Sequence, residues 1–147
     1  MIIKEKPNEL LIREIRRTLA EGKQVELKAK GNSMLPFIRD GRDSVILERP
    51  TKIRVGDILL GEYAPDNFVL HRFVRKENGK LVLMGDGNLH GEEKCFPGNI
   101  VARVVRIIRP NGRSVDCDAW AFRFRSGCWR LLLPVRRYLL AIIRRIR

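Results

Sequence analysis

The apolar positions of the first twenty residues recur at helical spacing. A helix over residues 8–21 would place its apolar side chains on one stripe: Leu10, Leu11, Ile15 and Leu19. Asn8 is a candidate N-cap residue. Gly22 suits the end of the helix, because glycine adopts a left-handed conformation at little cost. The pattern therefore predicts one amphipathic helix at the start of the chain.

From residue 24 onward apolar and polar positions alternate, which is typical of β-strands. The predicted strands cover residues 24–30, 44–47, 58–63, 68–75, 80–84 and 100–108. Asn78 and Gly79 separate two of them and predict a hairpin, because both positions of a two-residue type I′ turn need positive φ. Many short strands with turns between them predict a mainly β domain, a coiled sheet or barrel with one N-terminal helix.

The composition changes near residue 115, and residues 120–147 are rich in arginine and aromatic residues and contain no acid. A helix from Cys128 to Arg147, broken near Pro134, would collect leucine and isoleucine on one side and arginine on the other. We therefore divide the chain into an N-terminal helix (1–23), a β domain (24–115) and a basic amphipathic helical tail (116–147).

The net charge of +13 implies an acidic partner: nucleic acid, anionic lipid or an acidic substrate. The three cysteines are scattered and show no metal-ligand spacing, so we expect neither a metal nor a cofactor. The chain has no secretory signal and no run of about 18 uncharged apolar residues. These features predict a cytoplasmic protein.

A basic amphipathic helix with aromatic residues is typical of a peripheral membrane anchor. Two alternatives remain for the tail: a helix that packs on the β domain with its arginines solvated, and a nucleic-acid-binding segment. The apolar side of the tail is too wide and too rich in leucine for a nucleic-acid face alone. We therefore expect residues 116–147 to bind the anionic inner face of the membrane.

Two residues could carry chemistry. Ser33 follows a predicted strand at a turn, where its hydroxyl can be exposed and its N–H can hold an oxyanion. A serine needs an adjacent base to become a nucleophile, and His71 can accept a proton near neutral pH. The alternatives are an ordinary turn serine and a core histidine, since His71 shares a strand face with Val69 and Phe73.

The predicted hairpin also suggests a carboxylate partner for the histidine. If residues 78–79 form a two-residue loop, Phe73 lies opposite Met84. The same register places His71 opposite Asp86, whose carboxylate could orient the imidazole as in a catalytic triad. A β-bulge would break this register, and Asp86 could equally be a turn residue.

The run Gly31-Asn32-Ser33-Met34-Leu35-Pro36 resembles the nucleophile box of the S24/S26 peptidases, which include type I signal peptidases and LexA-type self-cleaving proteins. Residues 55–58 resemble the second box of that family, and residues 71–73 occupy the place of its base box. Gly85-Asp86-Gly87-Asn88 resembles its Gly-Asp-Asn box. The four boxes come in the family's order over residues 25–107.

The resemblance implies a fold like that of LexA and signal peptidase, and hydrolysis of a peptide bond by Ser33 with His71 as general base. A histidine followed by arginine is similar to the endoplasmic-reticulum and archaeal signal peptidases, whereas the bacterial enzymes use lysine. In the histidine type the orienting acid lies beyond the Gly-Asp-Asn box, where this chain has Glu92 and Glu93. Asp86, from the hairpin register, and Glu92, from the family position, both remain candidates.

The family also implies that the substrate lies extended beside the segment before Ser33. Asn32, Met34 and Pro36 are the expected substrate-binding residues, and an apolar pocket near them would select small side chains. The chain departs from signal peptidases in having no spanning helix, and from LexA-type proteins in having no DNA-binding module or Ala-Gly pair before Ser33.

We therefore expect a membrane-associated serine endopeptidase that cleaves peptides or leader segments. The alternatives are an inactive peptide-binding module of the same fold and a LexA-type regulator linked to DNA.

Overall fold

The computed structural model describes residues 2–3, 9–31, 33–88, 91–132 and 135–146. Helix α1 spans Glu9–Ala20 and buries Ile12, Ile15 and Leu19. Leu10, which was predicted to lie on the apolar stripe, is exposed, because the buried stripe follows the spacing 12, 15 and 19. Gly22 has a φ of +80° and ends the helix as predicted, whereas Asn8 lies outside the described residues.

Nine strands of the described residues form one sheet. Strands β1 to β9 span Ile2–Ile3, Val25–Lys28, Ser44–Glu48, Ile58–Ala64, Asn67–Glu77, Lys80–Met84, Glu93–Cys95, Ile100–Ile108 and Ser114–Asp116. The strand order is β1-β2-β3-β8-β4-β5-β6-β7, with β9 paired to β8. Only the β1–β2 pair is parallel among the described strands. The mainly β class is confirmed, and the described strands form an open sheet with β1 and β7 at its ends.

The six predicted strands are all present, and the three that sequence analysis missed contain two or three residues each. Such short strands give no measurable alternation, so only their pairing with a longer neighbour defines them. A short 3₁₀ turn, Pro97–Asn99, leads from β7 into β8.

The hairpin of β5 and β6 is confirmed, but part of its predicted register is wrong. Glu77 pairs with Lys80 across the tight turn of Asn78 and Gly79, which have φ values of 51° and 76°. Beyond Arg75 the register shifts, and Phe73 pairs with Leu83 instead of Met84. Val74 is the extra residue of a β-bulge in β5. It displaces by one position each pair that lies farther from the hairpin turn.

The core has one large and one smaller apolar cluster against the sheet. The large cluster joins Ile15 and Leu19 of α1 to buried side chains of the central strands, such as Val45 and Ile107. The smaller cluster contains Phe73, Leu83 and Cys95, among others. Each fully buried leucine or isoleucine contributes roughly 1.5–3 kcal/mol to the free energy of unfolding. On β4, Ile58 and Leu60 belong to the large cluster and Leu59 belongs to the smaller one, so the two clusters pack on opposite faces of that strand.

Two helices follow the sheet. Helix α2 spans Trp120–Leu131, and α3 spans Arg136–Ile146. Helix α2 begins eight residues before the predicted start at Cys128, because Phe122, Ser126 and Trp129 form a buried stripe against the β domain. Leu140 of α3 is also buried, next to Trp129. Among the described residues, no helix has the length and apolar character needed to cross a bilayer.

Candidate active site

Ser33 lies in the loop between β2 and β3, and the residues next to it hold that loop in place. Met34 and Leu35 are buried directly after the serine. The N–H groups of Phe37 and Ile38 both donate to the carbonyl oxygen of Met34, at 3.0 Å each. The loop thus turns tightly around Met34 and leaves the Ser33 side chain half-buried at its start.

The turn of residues 85–88 packs against the backbone of Ser33. The Gly87 N–H donates to the carbonyl oxygen of Ser33 at 2.7 Å. A Cβ atom on Gly85 would lie 2.4 Å from that same oxygen, so this position accepts only glycine. The Asp86 N–H donates to the sulfur of Met34 at 3.5 Å. The segment that resembles the Gly-Asp-Asn box therefore positions the backbone of the candidate nucleophile.

His71 lies near the middle of β5 and is 6% exposed. Its Nδ1 is 3.0 Å from a carboxylate oxygen of Glu93, the first residue of β7. An ionised carboxylate can only accept a hydrogen bond, so this contact favours the tautomer with its hydrogen on Nδ1 and leaves Nε2 as the acceptor. This is the protonation pattern that a general base requires.

Ser33 and His71 line the same cavity, which has a volume of about 430 Å³. Its lining includes residues 27–31, which end β2 and enter the Ser33 loop, and residues 68–71 of β5. Among the described residues, the Ser33 hydroxyl forms no hydrogen bond, to His71 or to any other side chain, so the two groups share a cavity without being bonded. Catalytic hydrogen bonds often shorten only when substrate binds.

The predicted substrate-binding residues have different surroundings. Met34 lines the cavity, whereas the half-buried Pro36, which follows a cis peptide bond, is not among the lining residues. Asn32 lies outside the described residues. Their roles in binding stay predictions.

The predicted pairing of His71 with Asp86 is wrong. Both oxygens of the buried Asp86 carboxylate accept hydrogen bonds from Arg72, at 3.0 and 2.5 Å. The bulge at Val74 changes the register, so that Arg72 pairs with Met84 just before Asp86. Neighbouring side chains of a strand point to opposite faces, and His71 therefore faces away from this carboxylate.

Arg72 lies in the segment that resembles the base box and contacts two other such segments, at Gly56 and at Asp86. It is fully buried and also donates to the carbonyl oxygen of Gly56 at 2.9 Å and to the hydroxyl of Ser126 at 3.0 Å. A buried cation needs such a set of partners, because desolvation of an unpaired charge is costly. The residue after the candidate base is thus the structural link between residues 55–58, the turn 85–88 and α2.

Glu92 does not contact His71 either. Its two oxygens accept hydrogen bonds from Arg75, both at 2.8 Å, and this guanidinium lowers the pKa of the Glu92 carboxyl. The next residue, Glu93, holds the imidazole instead. In the structure Glu93 shares its strand face with the buried Cys95, whereas Glu92 precedes the strand, and this three-residue strand gave no signal in the sequence.

The thiol beside this pair is inert. Burial, followed by the charges of Glu93 and Glu62, raises the pKa of Cys95 to about 11. The thiol therefore stays protonated near neutral pH and does not compete with Ser33 as a nucleophile. Among the described residues, no group of three or more histidine, cysteine or acidic side chains could hold a metal ion.

A mainly β domain with a serine and a carboxylate-bound histidine in one cleft has the features of a serine-peptidase-type hydrolase. The family model described as Peptidase S24-like matches residues 4–105, which include Ser33, His71 and Glu93. The chain belongs to the Peptidase S24-like family. Membership supports a peptidase or LexA-like function. Helices α2 and α3 lie beyond the matched residues, and no curated protein sequence matches the chain.

Proposed function

We propose that the protein is a serine endopeptidase of the signal-peptidase-like type, with Ser33 as nucleophile and His71 as general base. The observation that carries the proposal is the shared cavity of these two residues, with Glu93 on the far side of the imidazole. Glu93 takes the orienting role that Asp86 and Glu92 were expected to fill, because both of those carboxylates are held by arginines.

The groups in the cleft would act in sequence. The Ser33 oxygen attacks the substrate carbonyl while Nε2 of His71 takes the hydroxyl proton. The Ser33 N–H, which donates to no described residue, faces the developing oxyanion. Glu93 stabilises the imidazolium, which then gives its proton to the leaving amine. Water hydrolyses the resulting ester by the same steps.

The shape of the cleft favours an extended peptide as substrate. Residues 28–31 and residues 68–71 both line the cavity. On its other side Ala29 is already paired, because its N–H donates to Asp43 and its carbonyl accepts from Gly41. A peptide could therefore add as a strand along the cavity side of residues 28–31. Met34 and the half-buried Leu70 would then contact its side chains.

A fluorophosphonate probe, which reacts with activated serines, tests the catalytic proposal. We expect it to label the wild type and the control Ser114→Ala, an exposed serine on β9, but not Ser33→Ala. Hydrolysis of an unstructured peptide library should follow the same pattern. Absence of labelling and hydrolysis in the folded wild type would contradict the proposal, and retained peptide binding would then favour the inactive peptide-binding module.

We further propose that the enzyme works at the anionic inner face of a membrane. The outer sides of α2 and α3 expose a row of large apolar side chains, which comprises Trp120, Phe124, Leu131, Tyr138 and Ile142. We call this set of five exposed residues of α2 and α3 the apolar stripe, which is distinct from the buried face of α1. Both helices also contain several arginines and no acidic residue, and each arginine near an anionic leaflet contributes about 1 kcal/mol of binding.

Co-sedimentation with lipid vesicles tests this second part. We expect the full chain to bind mixed phosphatidylcholine–phosphatidylglycerol vesicles and to release them at high salt. Leu131→Ser on the apolar stripe should weaken binding, whereas Leu10→Ser, an exposed leucine on α1, should not. Equal binding by all three proteins would contradict a role for α2 and α3.

A further inference from the structure

A second cavity, of about 610 Å³, lies between the β5–β6 hairpin and the C-terminal helices. It shares no lining residue with the cavity of Ser33 and His71. Met84, which pairs with Arg72, lines it from the face of the hairpin that points away from His71. Val74, Phe124 and Leu131 add further apolar surface. The cavity is therefore separate from the candidate catalytic cleft.

Four arginines line this cavity, and two of them have a carboxylate partner. Arg75 binds Glu92 at the rim, and Arg123 binds the buried carboxylate of Asp57 at 2.8 Å. The other two are Arg130 and Arg136. Within the described part of the chain, no carboxylate oxygen lies within 4.0 Å of either guanidinium. The cavity thus has two positive charges that the described residues do not neutralise.

Arg136 lines the second cavity and is almost fully buried. It is 3% exposed, stacks on the Trp129 ring at 5.2 Å and donates to the carbonyl oxygen of Trp129 at 3.1 Å and, at 3.5 Å, to that of Asn88. Its Nε is buried, and none of the described residues accepts a hydrogen bond from it. Arginine seldom leaves a buried N–H unpaired, since each such donor costs roughly 1–3 kcal/mol.

The surroundings of both guanidinium groups disfavour their charge. Burial lowers the pKa of Arg130 and of Arg136, and repulsion from Arg72 adds to this. Arg123 repels Arg130 as well, and only Asp86, whose oxygens are already bonded to Arg72, acts in the opposite direction. A bound anion would offset this desolvation and repulsion.

We propose that this cavity binds the phosphate of an anionic phospholipid, with Arg130 and Arg136 on the phosphate and Phe124 and Leu131 along an acyl chain. Arginine matches phosphate oxygens with paired N–H donors. Phe124 and Leu131 line the cavity and also belong to the exposed apolar stripe, so the cavity opens on the face assigned to the membrane. The inference rests on the membrane part of the proposed function and is independent of peptide hydrolysis.

The test compares Arg130→Gln with Arg125→Gln. Both remove one charge from α2, but Arg125 is exposed and does not line the cavity. We expect Arg125→Gln to bind phosphatidylglycerol vesicles about fivefold more weakly, which corresponds to about 1 kcal/mol for an arginine near an anionic surface. Arg130→Gln should lose about tenfold or more. Equal losses would overturn the proposed site.

Soluble ligands separate the lipid from free phosphate. Short-chain phosphatidylglycerol should raise the Tm of the full-length wild type and of Arg125→Gln, and leave that of Arg130→Gln unchanged. Inorganic phosphate at the same concentration should have a much smaller effect. An equal effect of inorganic phosphate would overturn the role of the acyl chain, and no shift in the wild type would overturn the site.

Peptide hydrolysis without vesicles is the independent control. Arg130→Gln should cleave peptides as fast as the wild type, because Arg130 has no contact with the cleft of Ser33. If the wild type fails to cleave peptides but the lipid results hold, the catalytic proposal is wrong and the lipid site stands. If the wild type binds vesicles but Arg130→Gln and Arg125→Gln lose equally, only the lipid site is wrong; if the wild type binds no vesicles, the membrane proposal fails with it.

Discussion

The two faces of β5 hold two charged environments of different kinds. On one face His71 borders a cleft and, among the described residues, contacts one carboxylate, that of Glu93. On the other face Arg72 is fully buried and binds Asp86, Gly56 and Ser126. A satisfied buried guanidinium stabilises a unique arrangement, whereas an imidazole with one free nitrogen can still exchange a proton. Two neighbouring residues of one strand can thus have different roles: His71 is a candidate for proton transfer, and Arg72 stabilises the fold.

Removal of the imidazole should have the largest effect on activity. We expect His71→Ala to lower kcat by about 10⁶-fold, as loss of the general base does in a serine peptidase. The Tm should change little, since the side chain borders a cavity. Peptide hydrolysis and thermal unfolding measure the two effects. A variant that keeps most of its activity would contradict the role of His71 as general base.

Removal of the buried guanidinium should have the largest effect on stability. Arg72→Met leaves the Asp86 carboxylate buried and unpaired, and we expect the free energy of unfolding to fall by about 3–5 kcal/mol. Urea unfolding measures this loss. The matched control is Arg75→Met, which breaks an exposed ion pair and should have a much smaller effect. Equal losses would show that burial does not distinguish the two arginines.

The Arg72→Met, Asp86→Leu double variant sharpens this result. It removes both charges and should recover part of the stability lost in Arg72→Met, because no unpaired carboxylate remains. If the double variant is less stable than Arg72→Met, hydrogen bonds from Arg72 to Gly56 and Ser126 contribute more than the ion pair.

Glu93→Gln tests the carboxylate on the catalytic face. The amide keeps the size of the side chain but removes the charge that would stabilise the imidazolium, so we expect kcat to fall by about 10⁴-fold. The KM should change little, because Glu93 is not among the residues that line the cleft. A change confined to KM would assign Glu93 to substrate binding instead.

Glu92→Gln should have the smallest effect. Glu92 contacts Arg75 and not His71, so kcat should stay as in the wild type. Because Arg75 lowers the pKa of Glu92, this pair adds stability above the ordinary pKa of a glutamate and loses it as the pH falls through the lowered value. The variant should therefore have a slightly lower Tm at neutral pH and an equal Tm in strong acid. A large decrease in kcat would place Glu92 in the catalytic group.

Much of the fold was predictable because its signals are local. The alternation over residues 80–84 and 100–108 predicted both strands with their observed bounds. The Asn78-Gly79 turn was found because its positive φ values restrict the residue types. Ser33 and His71 were selected by residue type and by the order of the boxes, and the structure places both on one cavity.

The early start of α2 was missed because its buried positions alternate with arginines and a glycine. Phe122, Ser126 and Trp129 have helical spacing, but only their contacts with the β domain show that they form one face. The long-range contacts of a helix are not encoded in its own periodicity.

The amino-acid sequence by itself determined the six longer strands, the hairpin turn and the choice of Ser33 and His71 as candidates, since these follow from local pattern and residue chemistry. Only the tertiary structure decided which carboxylate meets the imidazole. One extra residue, Val74, turns Asp86 toward Arg72, and the pairing of β6 with β7 brings Glu93 to His71. Such choices depend on register between strands that are distant in the chain, and a shift of one residue exchanges the two faces of a strand.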